Sequence, residues 1–215
     1  MKLSVVIPFY NEENMIQKMY DELVKEINQI TKAEFEIIFI NDGSKDRTFE
    51  RMLAIAAGDA RVKYISFSRN FGKEAGTIAG LEYATGEAVI LMDGDLQHPP
   101  AMLPKMIEAY EQGYDVVSAR RTRTGEKRHR TFLAKHFYKL ANKMMDIELM
   151  DGVSEFRLFS RKVVNAIISM QEYNRFSKGI FAWIGFNEKV IEYENQVRTV
   201  GETKYSLKFS LNYAI

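Results

Sequence analysis

The sequence AVILMDGDLQHPP, residues 88–100, joins a short apolar run to an acidic turn. The apolar run, Ala88 to Met92, predicts a strand that is buried on both faces, because such a strand needs no polar alternation. The tripeptide Asp93-Gly94-Asp95 follows directly, so two carboxylates stand two residues apart at the strand end. Carboxylates at this spacing can hold a divalent cation, which can bind both phosphates of a nucleotide diphosphate. A solvated acidic turn is the alternative for this tripeptide taken alone.

Similar units of strand, polar turn and helix occur on both sides of this stretch. The other predicted strands are Leu3–Ile7, Phe35–Ile40, Val62–Phe67 and Val116–Ala119. Apolar positions spaced by three and four predict a helix from Ile16 to Ile30, which Asn11 would cap, and further helices are predicted over Lys73–Ala84 and from Pro99 onward. This alternation predicts an α/β fold with a mostly parallel central sheet flanked by helices.

Polar clusters follow four of these strands. They are Tyr10-Asn11-Glu12, Asn41-Asp42, Arg69-Asn70 and Asp93–Asp95. Ligands of open α/β sheets bind beyond the carboxyl ends of the strands, so we expect the four clusters to converge on one edge. No G-x-G-x-x-G follows the first strand, which argues against a dinucleotide site. The four-residue spacing of Gly72, Gly76 and Gly80 indicates close helix packing.

Composition narrows the function classes. The 215 residues have a net charge of +1, so no global field favours nucleic acid, and we expect no nucleic-acid partner. The absence of cysteine excludes disulfides and thiolate metal sites, and three histidines make a His-based zinc site a poor hypothesis. A metal would therefore be Mg²⁺ or Mn²⁺ held by carboxylates. The N-terminus lacks a signal-peptide pattern, and no stretch approaches the roughly 18 apolar residues of a membrane span.

Four ordered motifs give the chain a family resemblance. It resembles glycosyltransferase family 2, and within it the polyprenyl-phosphate branch that includes dolichol-phosphate mannose synthase and bactoprenol glucosyltransferase. The motifs are SVVIPFYNEE (4–13), NDGSKD (41–46), SRNFGK (68–73) and DGDLQHPP (93–100), with later ones at DGVSEFRL (151–158), RFSKGIF (175–181) and VGETKYS (200–206). The resemblance implies a GT-A type, Rossmann-like nucleotide-sugar-binding domain.

The resemblance also implies roles on the donor side. Asp93, Asp95 and Gln97 would hold Mg²⁺ or Mn²⁺, and His98 would stand beside this site without being a ligand. The remaining implied nucleotide-sugar contacts, together with Asp93, are Pro8, Tyr10, Glu12, Asp42, Lys73, Gly94, Lys178, Arg198 and Lys204. A divalent cation would stabilise the negative charge that the diphosphate gains as the glycosidic bond breaks.

Roles on the acceptor side rest on a basic run and a later acid. Residues 120–130 contain six Lys and Arg residues and one Glu, a net charge of +5. The run would be a solvated loop, a site for RNA or anionic lipid, or, as the resemblance implies, the acceptor-phosphate site with Arg120 and Arg130. The family motif commonly has Gly-Asp where this chain has Ser154-Glu155. With Asp95 and Arg130, Glu155 is a candidate catalytic residue, either as a base or as a positioning acid; a surface acid paired with Arg157 or Arg161 is its alternative.

These inferences predict a division of the chain into three parts. Residues 1–119 would form the nucleotide-sugar and metal half and residues 120–204 the acceptor half. Residues 205–215 would form an amphipathic tail that leads to membrane helices, lies on the membrane surface or packs on the domain. Phe181, Trp183 and Phe186 would pack in the core or face the membrane. The predicted location is the cytoplasmic membrane face, and a homo-oligomer is left open.

The leading hypothesis is an inverting transferase that moves a sugar from a UDP-sugar donor to a polyprenyl phosphate such as undecaprenyl phosphate. Glucose and N-acetylglucosamine are the favoured sugars. Two alternatives remain: a transferase of the same fold with a glycan or protein acceptor, and a non-catalytic protein that binds the membrane surface.

Overall fold

Strands and helices alternate along this computed structural model, which describes residues 1–122, 153–170 and 177–194. The strands are β1 Lys2–Phe9, β2 Glu34–Asn41, β3 Val62–Ser66, β4 Ala88–Leu91, β5 Val116–Arg121, β6 Val153–Ser160 and β7 Glu188–Tyr193. The helices are α1 Ile16–Ile27, α2 Thr48–Gly58, α3 Lys73–Tyr83, α4 Leu103–Glu111, α5 Arg161–Ser169 and α6 Ser177–Trp183, with a single 3-10 turn at Pro100–Met102. All five predicted strands and the three predicted helices are present, within a few residues of their predicted ends.

The seven strands form one sheet in the order β3-β2-β1-β4-β6-β5-β7. Strand β1 pairs parallel with β2 and β4, β2 with β3, and β5 with β7. Strand β6 is antiparallel to both of its neighbours, β4 and β5. The predicted mostly parallel α/β sheet is thus confirmed. The sequence pattern did not predict β6, the antiparallel strand between β4 and β5.

Helices cover both faces of the sheet. Side chains of α1, α2 and α4, such as Leu23, Met52 and Met106, pack on one face together with Val5. Side chains of α3, α5 and α6 pack on the other face, with Val6. Because adjacent residues of β1 enter different cores, its apolar run is continuous, as expected for a strand buried on both sides.

Helix α3 lies unusually close to the sheet. A Cβ atom at Gly80 would stand 2.2 Å from Val6 Cγ1, and one at Gly76 would stand 3.5 Å from Ile40 Cγ2. Glycine at position 80 lets the helix approach β1, whereas a Cβ at Gly76 would make an ordinary van der Waals contact. Close packing that requires glycine is thus confirmed for one of the three spaced glycines. Gly72 instead precedes the helix, so Lys73 is the first helical residue.

Some expectations are corrected or stay open. The predicted cap was wrong: α1 begins at Ile16, preceded by Met15, and Asn11 instead accepts a hydrogen bond from the Lys45 N–H at 2.8 Å. Phe181 lies in the core, whereas Trp183 is 66% exposed. The tail at 205–215 lies outside the described residues. Within the described part of the chain, no helix has the length and apolar character needed to cross a membrane.

Candidate active site

The carboxylate of Asp42 fastens the turn after β3 to the end of β2. Asp42 is 3% exposed, and its Oδ1 accepts the Phe71 N–H at 2.7 Å. Its Oδ2 accepts the Gly72 N–H at 3.0 Å and the Asn70 side-chain amide at 2.9 Å. Burial raises the pKa of Asp42, although both backbone hydrogen bonds oppose that rise. Asp42 therefore fixes the residues that lead into α3, a role that the sequence did not predict. Its contact with the nucleotide sugar stays a prediction.

The same two turns touch through their backbones. Gly43 has φ +63°, and a Cβ there would stand 2.2 Å from the carbonyl carbon of Arg69. Only glycine combines this conformation with this approach. The turn after β2 thus lies directly against the turn after β3.

A cavity of about 570 Å³ opens between these turns. It is lined by Tyr10, Asn41, Gly43, Ser44, Lys45, Phe49 and residues 66–70. The Arg69 guanidinium lies 4.0 Å above the ring of half-exposed Phe71. Aromatic, amide and hydroxyl groups together suit a flat, polar ring such as a nucleobase.

The acidic turn after β4 is fixed by His98. The Asp93 N–H donates to His98 Nδ1 at 2.9 Å, so the neutral ring carries its proton on Nε2. Burial lowers the pKa of His98, and the ring stacks on Phe156 with centroids 5.4 Å apart. Leu96, two residues before His98, has φ 59°, an uncommon conformation for a non-glycine residue. His98 thus fixes the backbone of the turn at Asp93.

Lys73 joins the two acids of the candidate site. Its Nζ lies 2.5 Å from Asp93 Oδ1 and 2.6 Å from Glu155 Oε2. Burial alone would lower the pKa of Lys73, but the two carboxylates raise it above its ordinary value. Among the described residues, Glu155 pairs with Lys73 and forms no ion pair with Arg157 or Arg161, the two partners that a surface acid was expected to have. Instead, Arg161 donates to the carbonyls of Ala84 and Gly86.

Residues around Glu155 explain its placement. The Ser154 hydroxyl donates to the Ala119 carbonyl at 2.9 Å and so joins β6 to β5. Arg157 is buried, and its guanidinium carbon lies 5.0 Å from the centre of the Phe181 ring. Burial lowers the pKa of Arg157, while Glu188 and Glu155 oppose that fall.

The remaining predicted site residues occupy varied positions. Pro8 and Gly94 border the same edge; the ring of Phe9 lies where a Gly94 side chain would stand, 2.3 Å from its Cβ. The Glu12 N–H donates to Thr48 Oγ1 at 2.8 Å. Arg120 pairs with Glu192 of β7 at the end of β5. Lys178 belongs to α6, whereas Arg130, Arg198 and Lys204 lie outside the described residues.

Comparison with known proteins decides the family. The model of the family described as Glycosyl transferase family 2 matches residues 4–168, more than three quarters of the chain. The chain belongs to glycosyl transferase family 2.

Relatives of this glycosyl transferase family 2 chain agree with the assignment. It is 49% identical to the protein CsbB of Bacillus subtilis (strain 168), over 99% of this chain and 64% of that protein. It is 43% identical to the bactoprenol glucosyl transferase of Shigella phage SfX, over 96% of this chain and 68% of that protein. The chain thus spans about two thirds of the length of these relatives.

Solved structures confirm the GT-A fold. Glucosyl-3-phosphoglycerate synthase from Mycobacterium tuberculosis, in complex with Mn²⁺, UDP-glucose and phosphoglyceric acid, superimposes with a TM-score of 0.60. The match covers 99% of this chain and 76% of that one at 19% identity.

The side chains of this family 2 chain fit a divalent cation that arrives with a phosphate ligand. Among residues 1–122, 153–170 and 177–194, no three His, Asp or Glu side chains form a ready cage for a metal ion. Asp93 and Asp95 lie on one turn, and Asp95 Oδ1 accepts the Gln97 N–H at 3.1 Å. Mg²⁺ commonly takes one or two protein carboxylates and completes its shell with phosphate oxygens and water. The side chains of Asp93, Asp95 and Gln97 carry oxygen atoms of the kind that such a cation prefers.

Proposed function

We propose that this chain catalyses transfer of a sugar from a UDP-sugar to a polyprenyl phosphate at the cytoplasmic face of the membrane, with inversion at the sugar carbon. The membership of family 2 supports the transferase class. The name of the Shigella phage relative supports a bactoprenol-type acceptor and favours glucose. N-acetylglucosamine is the other sugar that we would test.

The donor would lie along the strand ends from β2 to β4. Its base would enter the cavity near Tyr10 and Arg69, and its diphosphate would extend toward the acidic turn. Asp93, Asp95 and Gln97 would hold Mg²⁺ or Mn²⁺, which when bound would neutralise the charge of the departing diphosphate. Lys178, Arg198 and Lys204 are the proposed cationic partners of the phosphates.

The acceptor phosphate would approach from the β5 and β6 side. A phosphate monoester has a second pKa near 6, so its oxygen is already a charged nucleophile at neutral pH. That oxygen would form a bond to the anomeric carbon while the bond to the UDP oxygen breaks and UDP leaves. Glu155 would position the acceptor, and Arg120 and Arg130 would bind its phosphate through their forked donors.

One observation carries this proposal. The ammonium of Lys73 contacts Asp93, on the turn after β4, and Glu155, near the start of β6. The proposed donor acid and the proposed acceptor acid therefore lie within one side chain of each other. This proximity is what a direct transfer between two bound substrates requires.

Product analysis tests the proposal. The chain, in detergent, is incubated with labelled UDP-glucose or UDP-N-acetylglucosamine, with and without undecaprenyl phosphate. We expect a lipid-phosphate sugar, identified by mass, only when lipid, donor and Mn²⁺ or Mg²⁺ are all present. Label transfer to a glycan or protein but not to the lipid would favour the second acceptor class, and metal-independent UDP binding without turnover would favour a binding protein.

Two substitutions separate the donor and acceptor functions. Asp95→Ala should abolish the effect of EDTA on UDP affinity, measured by calorimetry. Arg130→Ala should raise the KM for undecaprenyl phosphate at least tenfold and leave the UDP affinity within about twofold, since one forked phosphate contact contributes about 1.5–3 kcal/mol. Equal losses of both affinities in Arg130→Ala would contradict an acceptor role.

A further inference from the structure

Lys73 is a positively charged group lodged between two acids that a transfer reaction would use for different substrates. Lys73 and Asp93 are each 29% exposed and Glu155 is 18% exposed, so solvent screens these charges only in part. The three groups together carry one net negative charge. The Lys73 ammonium contacts the carboxylate of Asp93, the first acid of the proposed metal-binding turn.

The position of Lys73 is fixed by contacts on both sides of it along the chain. On the N-terminal side, Asp42 holds the N–H groups of Phe71 and Gly72. On the C-terminal side, Glu74 accepts hydrogen bonds from the Ser177 hydroxyl and N–H, so it joins α3 to the start of α6. The backbone of Lys73 is therefore held, and movement of its charge must come from its side chain.

A divalent cation bound by Asp93 would stand a few ångströms from this ammonium. Two like charges at this distance repel, and the repulsion is several-fold stronger in a partly buried site than in water. The ammonium and the cation would therefore compete for the same carboxylate. A bound diphosphate would relieve the competition, because its oxygens provide ligands for the cation and a second partner for Lys73.

We propose that Lys73 is a positioning residue that makes cation binding depend on the donor diphosphate. It competes with the cation for Asp93 and keeps Glu155 beside the donor turn. When a diphosphate is bound, the ammonium moves toward the phosphates and Asp93 becomes available to the cation. This inference rests on the proposed function, since it assumes a donor that is bound together with a divalent cation.

Mn²⁺ binding without turnover tests this role. Free Mn²⁺ is measured by electron paramagnetic resonance in titrations of the full chain, with and without UDP. We expect weak Mn²⁺ binding by the wild type that UDP strengthens at least tenfold. Lys73→Met should bind Mn²⁺ at least tenfold more tightly than the wild type without UDP, and UDP should then add little. Lys73→Arg, which keeps the charge, should behave like the wild type.

Two further variants control for a general effect of losing a lysine and for loss of stability. Lys32→Met removes another paired lysine, whose partner is the distant Glu111, and should leave Mn²⁺ binding unchanged. Lys73→Gln replaces Lys73→Met if the methionine variant melts at a lower temperature than the wild type by more than a few degrees. Unchanged or weaker Mn²⁺ binding in the folded uncharged variants would overturn the inference while leaving the proposed function intact. Failure of the wild type to bind Mn²⁺ even with UDP would overturn both.

Discussion

At the scale of single residues, Asp42 has the clearest predicted effect. Its buried carboxylate accepts three hydrogen bonds from residues 70–72. Asp42→Asn replaces one acceptor oxygen by an N–H₂ group that would face a donor. We expect a loss of about 1–3 kcal/mol in the free energy of unfolding, because one buried donor is left unpaired. UDP affinity should fall at least tenfold, since the turn leading to Lys73 loosens.

Denaturant titration and calorimetry measure these two effects of Asp42→Asn. The matched control is Asp21→Asn, which changes an exposed aspartate that accepts one hydrogen bond from Gln17. Its effect on stability should stay within about 0.5 kcal/mol. If both variants unfolded at the same denaturant concentration, the turn would not depend on the Asp42 carboxylate.

Gly94 gives a second prediction at this scale. A methyl group at Gly94 would stand 2.3 Å from the ring of Phe9, which is 1% exposed and packed edge-on against Phe39. Gly94→Ala should therefore destabilise the protein by about 1–3 kcal/mol, the usual range for overpacking. Gly58→Ala is the control, because its Cβ would meet nothing within 4 Å. If Gly94→Ala and Gly58→Ala had the same melting temperature, the Phe9 ring would have moved to accommodate the added methyl group.

The sequence predicted several residues of the site but not how they combine. Asp42 and Asp93 could be found because each follows an apolar strand, and parallel strands bring their ends to one edge. The contact between Lys73 and Glu155 joins residues 82 positions apart, so no local pattern indicates it. Asn11 was wrongly predicted to cap α1 because a capping residue type does not specify its partner, and here the partner is Lys45.

At the scale of elements, Glu36 links three strands at the end of the sheet opposite the site. It is 3% exposed and accepts hydrogen bonds from Ser4 of β1, Lys63 of β3 and Thr85 after α3. Burial alone would raise its pKa, but the hydrogen bonds from Lys63, Ser4 and Thr85 lower it to about 2 from an ordinary 4.5. Glu36 therefore stabilises the sheet while it is ionised.

The pKa of Glu36 predicts an acid dependence of stability. Because the folded value lies below the unfolded value, the stabilisation is complete above pH 4.5 and is lost as the pH falls toward 2. We expect protonation of Glu36 to lower the free energy of unfolding by about 3 kcal/mol. Glu36→Gln should remove that part of the pH dependence of the free energy of unfolding. Glu50→Gln, which breaks a surface pair with Arg47, should leave the pH dependence nearly unchanged.

Strands buried on both faces were predictable, and β6 was not. The run AVIL of β4 is entirely buried, so hydrophobicity alone indicates it. Strand β6 reads VSEFRLFS, and its polar positions have tertiary roles: Ser154 bonds to β5, Glu155 pairs with Lys73, and Arg157 lies under Phe181. The polar residues that make these contacts interrupt the apolar pattern on which strand prediction depends, and their partners lie in distant parts of the chain.

At the scale of the whole molecule, the charge distribution limits how the chain would meet a membrane. The net charge is only +1, whereas residues 120–130 hold +5. Attraction to anionic lipid would therefore be local, near the end of β5, where the strand register places Arg120 at the same edge as the acidic turn. A lipid phosphate drawn to this side would arrive next to Glu155. Apolar contact with the bilayer must come from elsewhere, and the tail is the proposed source.

The sequence at 205–215 predicts an amphipathic helix with Leu207, Leu211 and Ile215 on one stripe. If that stripe enters the interface, Leu207→Asp with Leu211→Asp should weaken binding to phosphatidylglycerol vesicles at least tenfold more than Ser206→Asp with Ser210→Asp. Both double variants add the same charge at the same spacing, so their difference in a flotation assay reports the apolar contact alone. Equal weakening would leave only electrostatic attraction. If the two double variants bound vesicles equally and only the leucine variant had a lower melting temperature, the stripe would pack on the domain.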